Sequence, residues 1–268
     1  MPLWPVTLWS GSLLVRATFG VRATFGYGSG LAYSQQKTYN NQPYFRRAAM
    51  KTRHILFDLD NTLYPRECGL FHLIEERIKE YLRIRLDLTY EDAAALRRRY
   101  LGEYGFTLVG LMKHNRVDPD DYLEFVHEVD VEGVLTEDRG LAQLMSRIPL
   151  TKVIVTNGTV RHAQRVIRSL GIESFFSHIF DIAFMQYCPK PHLSTFHRVL
   201  DHLGVTAEGC LMLDDHPPTV AAAKALGMTA IYVGNTEQVE AHYQIAEIKG
   251  LEKVLRELQL FDTGAMVQ

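Results

Sequence analysis

The chain has 268 residues, 47% of them hydrophobic and 22% charged, an ordinary globular balance with room for one large or two modest domains. The formal net charge of −2 excludes a nucleic-acid binder held by bulk positive charge, and no apolar run approaches the length of a membrane span. Three scattered cysteines, Cys68, Cys188 and Cys210, lack Cys-x-x-Cys spacing, which argues for a reducing, cytoplasmic compartment over a disulfide framework or a zinc site.

Residues 1–50 differ from the rest. Arg16, Arg22, Lys37, Arg46 and Arg47 are their charged residues, with no Asp or Glu, and Val-Arg-Ala-Thr-Phe-Gly occurs twice, at Val15–Gly20 and Val21–Gly26. Two six-residue copies are too few for a repeat fold. A targeting peptide, a disordered tail and a start placed too early compete. The expectation adopted is the last, with Met50 as the working first residue, because Met50 lies just before the first strand. Organelle targeting is the alternative.

The chain is organised around Arg53–Pro65. Ile55, Leu56 and Phe57 form a short apolar run suited to a buried strand, and the run breaks into Asp58-Leu59-Asp60-Asn61-Thr62. Two carboxylates this close repel unless a cation or a shared proton lies between them. A plain turn of solvated Asp and Asn is the simpler reading of this stretch alone.

Helices are expected at Gly69–Leu86, with Leu70, Phe71, Ile74, Ile78, Tyr81 and Leu82 on one stripe, and at Tyr90–Glu103, capped by Thr89. Two more are expected at Pro119–Glu128, with proline in the first turn, and about Glu137–Arg147. Together residues 67–147 read as an all-helical insert with its own core.

From Thr151 strands alternate with helices. Strands are expected at Lys152–Val155, His178–Phe184, Cys210–Leu213 and Met228–Val233. Helices are expected at Val160–Leu170, Leu193–Leu203 and Pro217–Leu226, with a helical Gln238–Leu258 region closing the chain. This alternation predicts an α/β fold: a Rossmann-like parallel sheet with helices on both faces, built from residues 51–66 and 148–268.

In such a sheet, ligands bind at the carboxyl ends of the strands. Asp58 and Asp60 follow the first strand, Thr156 and Asn157 the second, Lys190 the third, and Asp214 and Asp215 the fourth. Four carboxylates with one lysine and hydroxyl and amide donors make an oxygen-rich cation site of the kind that suits Mg²⁺, with room to hold a phosphate. No Gly-x-x-x-x-Gly-Lys-Ser/Thr loop is present, which argues against a P-loop nucleotide site.

Asp58-Leu59-Asp60-Asn61-Thr62, Val155-Thr156-Asn157-Gly158, Lys190-Pro191 and Leu213-Asp214-Asp215, in this order, resemble the haloacid dehalogenase-like superfamily. The resemblance implies that Asp58 is the nucleophile and Asp60 the general acid/base. It implies that Thr156, Asn157 and Lys190 bind phosphate, and that Asp58, the backbone carbonyl of Asp60, Asp214 and Asp215 hold Mg²⁺. Dehalogenases of this fold lack the acid at Asp60 and P-type pumps carry Thr there, so its presence favours a phosphatase or phosphomutase. The insert takes the place of the family's helical cap, which selects the leaving group.

Asp60–Pro65, Gly69-Leu70-Phe71 with Ile74, Arg77 and Ile78, and Tyr104-Gly105 with Leu108, Gly110 and Leu111 resemble the pyrimidine 5'-nucleotidase branch. That implies a nucleoside monophosphate substrate. Sugar phosphates or other small metabolites are the alternative, and a catalytically idle scaffold is the reading from another class. The last motif departs from the usual Asp-Asp-Ser, since His216 follows Asp215. His216 is read as a helix-opening or supporting residue, not a metal ligand. Cys188 has no paired His and is read as packing. His54 is read as a strand-edge residue, and His72, His114 and His127 as exposed helix positions. Arg97-Arg98-Arg99 is read as a solvated face.

Overall fold

The computed structural model describes residues 53–236 and 238–261. The readings of residues 1–50, including the tandem repeat and the Met50 start, lie outside the described residues.

Six parallel strands form one sheet in the order β3-β2-β1-β4-β5-β6. They are β1 His54–Phe57, β2 Thr151–Val155, β3 Phe176–Phe180, β4 Cys210–Asp214, β5 Thr229–Val233 and β6 Tyr243–Ile245. Successive strand side chains point to opposite faces, so each strand feeds two cores. Ile55, Phe57, Ile154, Leu211, Leu213 and Ile231 belong to one apolar cluster. Leu56, Val153, Val155, Met212 and Ala230 belong to the other. Each such large apolar side chain, once buried, contributes about 1.5–3 kcal/mol.

Helices α1 Leu70–Leu86, α2 Tyr90–Tyr104, α3 Thr107–Asn115, α4 Pro119–Val126, α5 Val131–Val134 and α6 Arg139–Arg147 fill the segment between β1 and β2. Helices α7 Val160–Ser169, α8 Leu193–Leu203, α9 Pro217–Ala225 and α10 Leu251–Glu257 connect or follow the later strands. Buried residues of α6, α7 and α10 pack into the first cluster, and those of α8 and α9 into the second. No described helix is long and apolar enough to cross a membrane.

Two of the expected helix starts are capped by side chains. Thr89 accepts the Asp92 N–H at α2, and Asp118 accepts those of Asp120 and Asp121 ahead of Pro119. Helix α3 was not foreseen. Gly105, at φ 70°, closes α2 in the left-handed conformation, and the chain then re-enters a helix at Thr107. The α2–α3 contact is tight: a Cβ at Gly110 would lie 2.3 Å from Tyr100 Cγ.

Two strands correct the expectations. The third spans Phe176–Phe180 and stops short of Phe184. Asp181 ends it by accepting N–H groups from Val160 at 3.0 Å and Phe184 at 2.8 Å. The region expected to be helical from Gln238 instead gives strand β6 on the sheet edge, with Tyr243 opposite Ile231 and Ile245 opposite Val233. Helix is confined to Leu251–Glu257, where Leu251, Val254 and Leu255 are buried.

The register sets the site. Phe57 is level with Ile154 on one side and with Leu213 on the other. Asp58, Val155 and Asp214 therefore reach the carboxyl edge together, and the Asp58 N–H donates to the Leu213 carbonyl at 2.9 Å.

Candidate active site

The strand tips gather a buried charge cluster. Lys190 Nζ donates to Asp58 Oδ1 at 2.6 Å and to Asp214 Oδ2 at 2.7 Å. All three side chains are buried, Lys190 at 3% and Asp214 at 1% exposure. Oxygens of Asp58, Asp214 and Asp215 lie within 4.8 Å of one another. Asp215 is half-buried, with Arg66 at 3.5 Å.

One lysine does not balance three carboxylates. Burial and then the Asp58 charge push Asp215 up to about 6. Burial, against the pull of Lys190 and with the push of Asp58, raises Asp214 to about 7. Asp58 is raised as well, by burial first, with Lys190 opposing and Asp60 adding to the rise. Burial disfavours the Lys190 cation, yet Asp214 and Asp58 outweigh it and hold its pKa above the usual lysine value. A cluster of hard oxygens still short of positive charge fits a divalent cation such as Mg²⁺. The carboxylate of Asp60 is not in this cluster, so any part of Asp60 in holding an ion falls to its backbone carbonyl.

Asp60 is fixed separately. Its Oδ1 accepts from Tyr64 Oη at 2.6 Å and from His162 Nε2 at 2.8 Å. Burial alone would raise its pKa, but His162, Tyr64 and the more distant His127 outweigh that and hold it below the usual aspartate value. Asn61 follows at φ 60°, a left-handed turn that Asn tolerates, so the chain turns sharply after Asp60.

Thr156 is buried at the end of β2, and its Oγ1 accepts the Gly158 N–H at 2.9 Å, leaving the hydroxyl hydrogen free to donate elsewhere. Asn157, expected as a phosphate donor, is engaged with the Lys190 loop. Its Oδ1 accepts the Lys190 N–H at 2.9 Å, and its Nδ2 donates to the Lys190 carbonyl at 3.3 Å.

His216 opens α9, donating its backbone N–H to Asp214 Oδ1 at 2.8 Å while its ring meets Thr219 Oγ1 at 3.0 Å. This agrees with the supporting role read for it. Cys188 contacts Ser194 Oγ at 3.3 Å. Arg97 corrects the solvated-face reading, since it turns inward to Glu75 at 2.6 Å, while Arg98 and Arg99 are exposed. His127 is a second correction. It is half-buried and stacks on His162 at 4.7 Å between ring centroids.

His162 itself was missed. It lies on the buried face of α7 with Ala163, Val166 and Ile167, where a lone histidine reads as core. The sequence carries no local signal that its partner is Asp60, 102 residues earlier.

A family model described as haloacid dehalogenase-like hydrolase matches residues 52–227. Phosphate metabolism protein 8 of Saccharomyces cerevisiae is 25% identical over 189 residues, 64% of this chain and 58% of the yeast protein. The chain therefore spans little more than half of that relative's length. Glyceraldehyde 3-phosphate phosphatase of Methanocaldococcus jannaschii is 26% identical over 225 residues, 76% of this chain and 97% of the archaeal protein. The crystal structure of a phosphatase from Thermococcus onnurineus superposes with a TM-score of 0.54 at 20% identity, covering 76% of this chain and 98% of the other, and supports the fold.

Proposed function

The chain belongs to the haloacid dehalogenase-like hydrolase family, and from that premise we propose that it is a Mg²⁺-dependent phosphomonoester hydrolase working through an aspartyl-phosphate on Asp58. The observation that carries this reading is the Lys190 bridge between Asp58 and Asp214, with Asp215 within 4.8 Å, beside an Asp60 held by other partners.

In this reading Asp58 attacks phosphorus in line while the P–O bond to the leaving group breaks. Asp60 delivers a proton to the departing oxygen, then takes one from the water that hydrolyses the aspartyl-phosphate. Lys190 and the Thr156 hydroxyl bind phosphoryl oxygens, and Asn157 holds the Lys190 loop in place. Mg²⁺, when held by Asp58, the Asp60 carbonyl, Asp214 and Asp215, offsets charge on the transferring group. Residues 67–147 serve as the cap, closing over the strand tips and choosing the leaving group. Three free cysteines, Cys68, Cys188 and Cys210, support a reducing, cytoplasmic setting.

For the substrate we propose a nucleoside 5'-monophosphate, a pyrimidine one first, supported by the Asp60–Pro65 and α1 residues that resemble the 5'-nucleotidase branch. A small sugar phosphate is the second reading, favoured by the archaeal relative named for glyceraldehyde 3-phosphate and matched over 97% of its length. Hydrolysis of p-nitrophenyl phosphate with Mg²⁺, and its loss on chelation, tests the chemistry. Comparing kcat/KM across uridine, cytidine and triose monophosphates tests the substrate. Absence of any Mg²⁺-dependent hydrolysis overturns the phosphatase proposal, and a triose preference overturns the nucleotide one.

A further inference from the structure

Asp60 receives both of its side-chain donors on one oxygen. Tyr64 Oη lies 2.6 Å and His162 Nε2 2.8 Å from Oδ1. A carboxylate oxygen only accepts, so His162 carries its proton on Nε2. The His162 side chain is fully buried, and its Nδ1 has no hydrogen-bond partner among protein atoms. A histidine present only to fill the core would be expected to satisfy both nitrogens. This one spends its single bond on the acid/base carboxylate.

The ring is held from the far side. His127, the residue after α4, donates from Nδ1 to the Leu123 carbonyl at 2.8 Å, which fixes its tilt. It lies over His162 with 30° between ring planes. Gly158 makes room, since a Cβ there would sit 3.2 Å from His127 Nε2 and 3.5 Å from His162 Cδ2. Thr159 sets the start of α7 by accepting the His162 N–H at 3.2 Å. His162 comes from the core and His127 from the helical segment between β1 and β2, so the stack joins that segment to the acid/base residue.

We infer that His162 is a positioning residue for the acid/base step, anchoring Asp60 through Oδ1 and leaving Oδ2 to carry the proton, with His127 holding the His162 ring. The inference rests on the phosphatase reading. In the first half-reaction Oδ2–H gives its proton to the leaving oxygen as the Asp58–phosphorus bond forms and the ester P–O bond breaks. In the second, Oδ2 takes a proton from water as water oxygen bonds to phosphorus and the Asp58–phosphorus bond breaks. A carboxylate free to rotate about its Cβ–Cγ bond would present the wrong oxygen for part of each cycle.

The test compares wild-type full-length protein with His162→Leu, which removes the donor, and His162→Gln, which retains one. With Mg²⁺ present, kcat/KM is measured for p-nitrophenyl, phenyl and ethyl phosphate. A p-nitrophenolate leaves with little help from an acid, and an ethoxide needs it. His162→Leu is expected to lose on the order of 100-fold in kcat/KM for ethyl phosphate and less than about 10-fold for p-nitrophenyl phosphate. With p-nitrophenyl phosphate, kcat and KM should fall together and acid-quenched phosphoenzyme should accumulate, because its hydrolysis needs the same base. His162→Gln should recover most of the loss. An equal fall for all three esters makes His162 a packing residue and overturns the proposal, as does no fall at all. Nitrogen NMR of ¹⁵N-histidine-labelled wild type gives a second arm that needs neither a stable variant nor turnover. It should show His162 protonated at Nε2, and an unprotonated Nε2 overturns the proposal. If wild type hydrolyses none of the three esters, the phosphatase reading falls, while the spectrum still decides whether His162 anchors Asp60.

Discussion

The side-chain amide of Asn157 clasps the backbone of Lys190 at both ends, accepting its N–H at 2.9 Å and donating to its carbonyl at 3.3 Å. The residue that follows β2 thereby fixes the loop that carries the buried cation, 33 positions later. Asn157→Ala removes both contacts while leaving the charge in place. We expect kcat to fall by roughly 10- to 100-fold, as small misplacements of a catalytic group do. The accompanying loss of stability should stay near about 1–3 kcal/mol. Steady-state kinetics beside urea unfolding check the two together, and a large stability loss with unchanged kcat would contradict this account.

Lys190→Met removes the charge itself. Asp58 and Asp214 would then face each other unpaired in a buried site, and breaking a buried ion pair from one side costs about 3–5 kcal/mol. The metal-free variant should melt well below wild type, and Mg²⁺ should recover part of the difference by supplying positive charge. Thermal melts with and without Mg²⁺ measure both effects. Equal melting temperatures for variant and wild type without metal would rule out the bridge as a source of stability.

The roles of Asp58 and Asp60 separate in a quench experiment. Asp58→Asn should give neither turnover nor trapped phosphoenzyme. Asp60→Asn should still form phosphoenzyme from p-nitrophenyl phosphate but turn over about 10²–10⁴-fold more slowly, the usual span of general acid/base catalysis. Phosphoenzyme on Asp58→Asn would place the nucleophile elsewhere.

Protonating Asp214 and Asp215 should stabilise the metal-free strand tips and weaken their hold on Mg²⁺. Asp214 and Asp215 are raised from the ordinary 3.8 to about 7 and about 6. Between those limits these two carboxyls bind more protons in the folded state than in the unfolded one, so their contribution to stability falls as pH rises from about 4 to 7. His127, which burial holds down at about 4, contributes an opposite slope. Mg²⁺ requires the deprotonated carboxylates, so its apparent affinity should rise over the same window. Melts and calorimetric titrations from pH 5 to 8 test this pair of opposite slopes. Asp214→Asn should flatten the first, and a metal-free melting temperature that climbs with pH across this range in wild type, but not in Asp214→Asn, would refute the assignment.

Gly110→Ala probes the helical segment without touching the strand tips. The added Cβ would fall 2.3 Å from Tyr100 Cγ, so α2 and α3 must part. Such overpacking costs about 1–3 kcal/mol. A urea midpoint equal to wild type would show that the helices separate freely.

The strand tips were legible because each short apolar run ends in a polar residue of defined chemistry. Asp58 after Phe57, Thr156 after Val155 and Asp214 after Leu213 align from the sequence alone, since parallel strands share one carboxyl edge. Lys190 followed from its place before a helix. The partners of Asp60 divided. Tyr64 sits four residues away, inside the same motif. His162 reaches Asp60 only through the sheet, and nothing around it on α7 marks it as other than core. Strand β6 was hidden for a similar reason: Tyr-Gln-Ile is too short to show alternation, and its pairing with β5 is what makes it a strand. Helix α3 was masked by Gly105, a true break that the chain resumes beyond.

Strand β1 has a neighbour on each side, and Ile55, Leu56 and Phe57 feed apolar layers above and below the sheet. Its amides should therefore be among the last to exchange with deuterated solvent, opening only when the whole sheet does. In the proposed mechanism the nucleophile, Asp58, thus follows directly on the slowest-breathing strand, whereas the cap role proposed for residues 67–147 leaves the choice of ester to the helices between β1 and β2. Under that proposal, sequence drift in those helices redirects hydrolysis to new esters while the residues at the strand tips stay where they are.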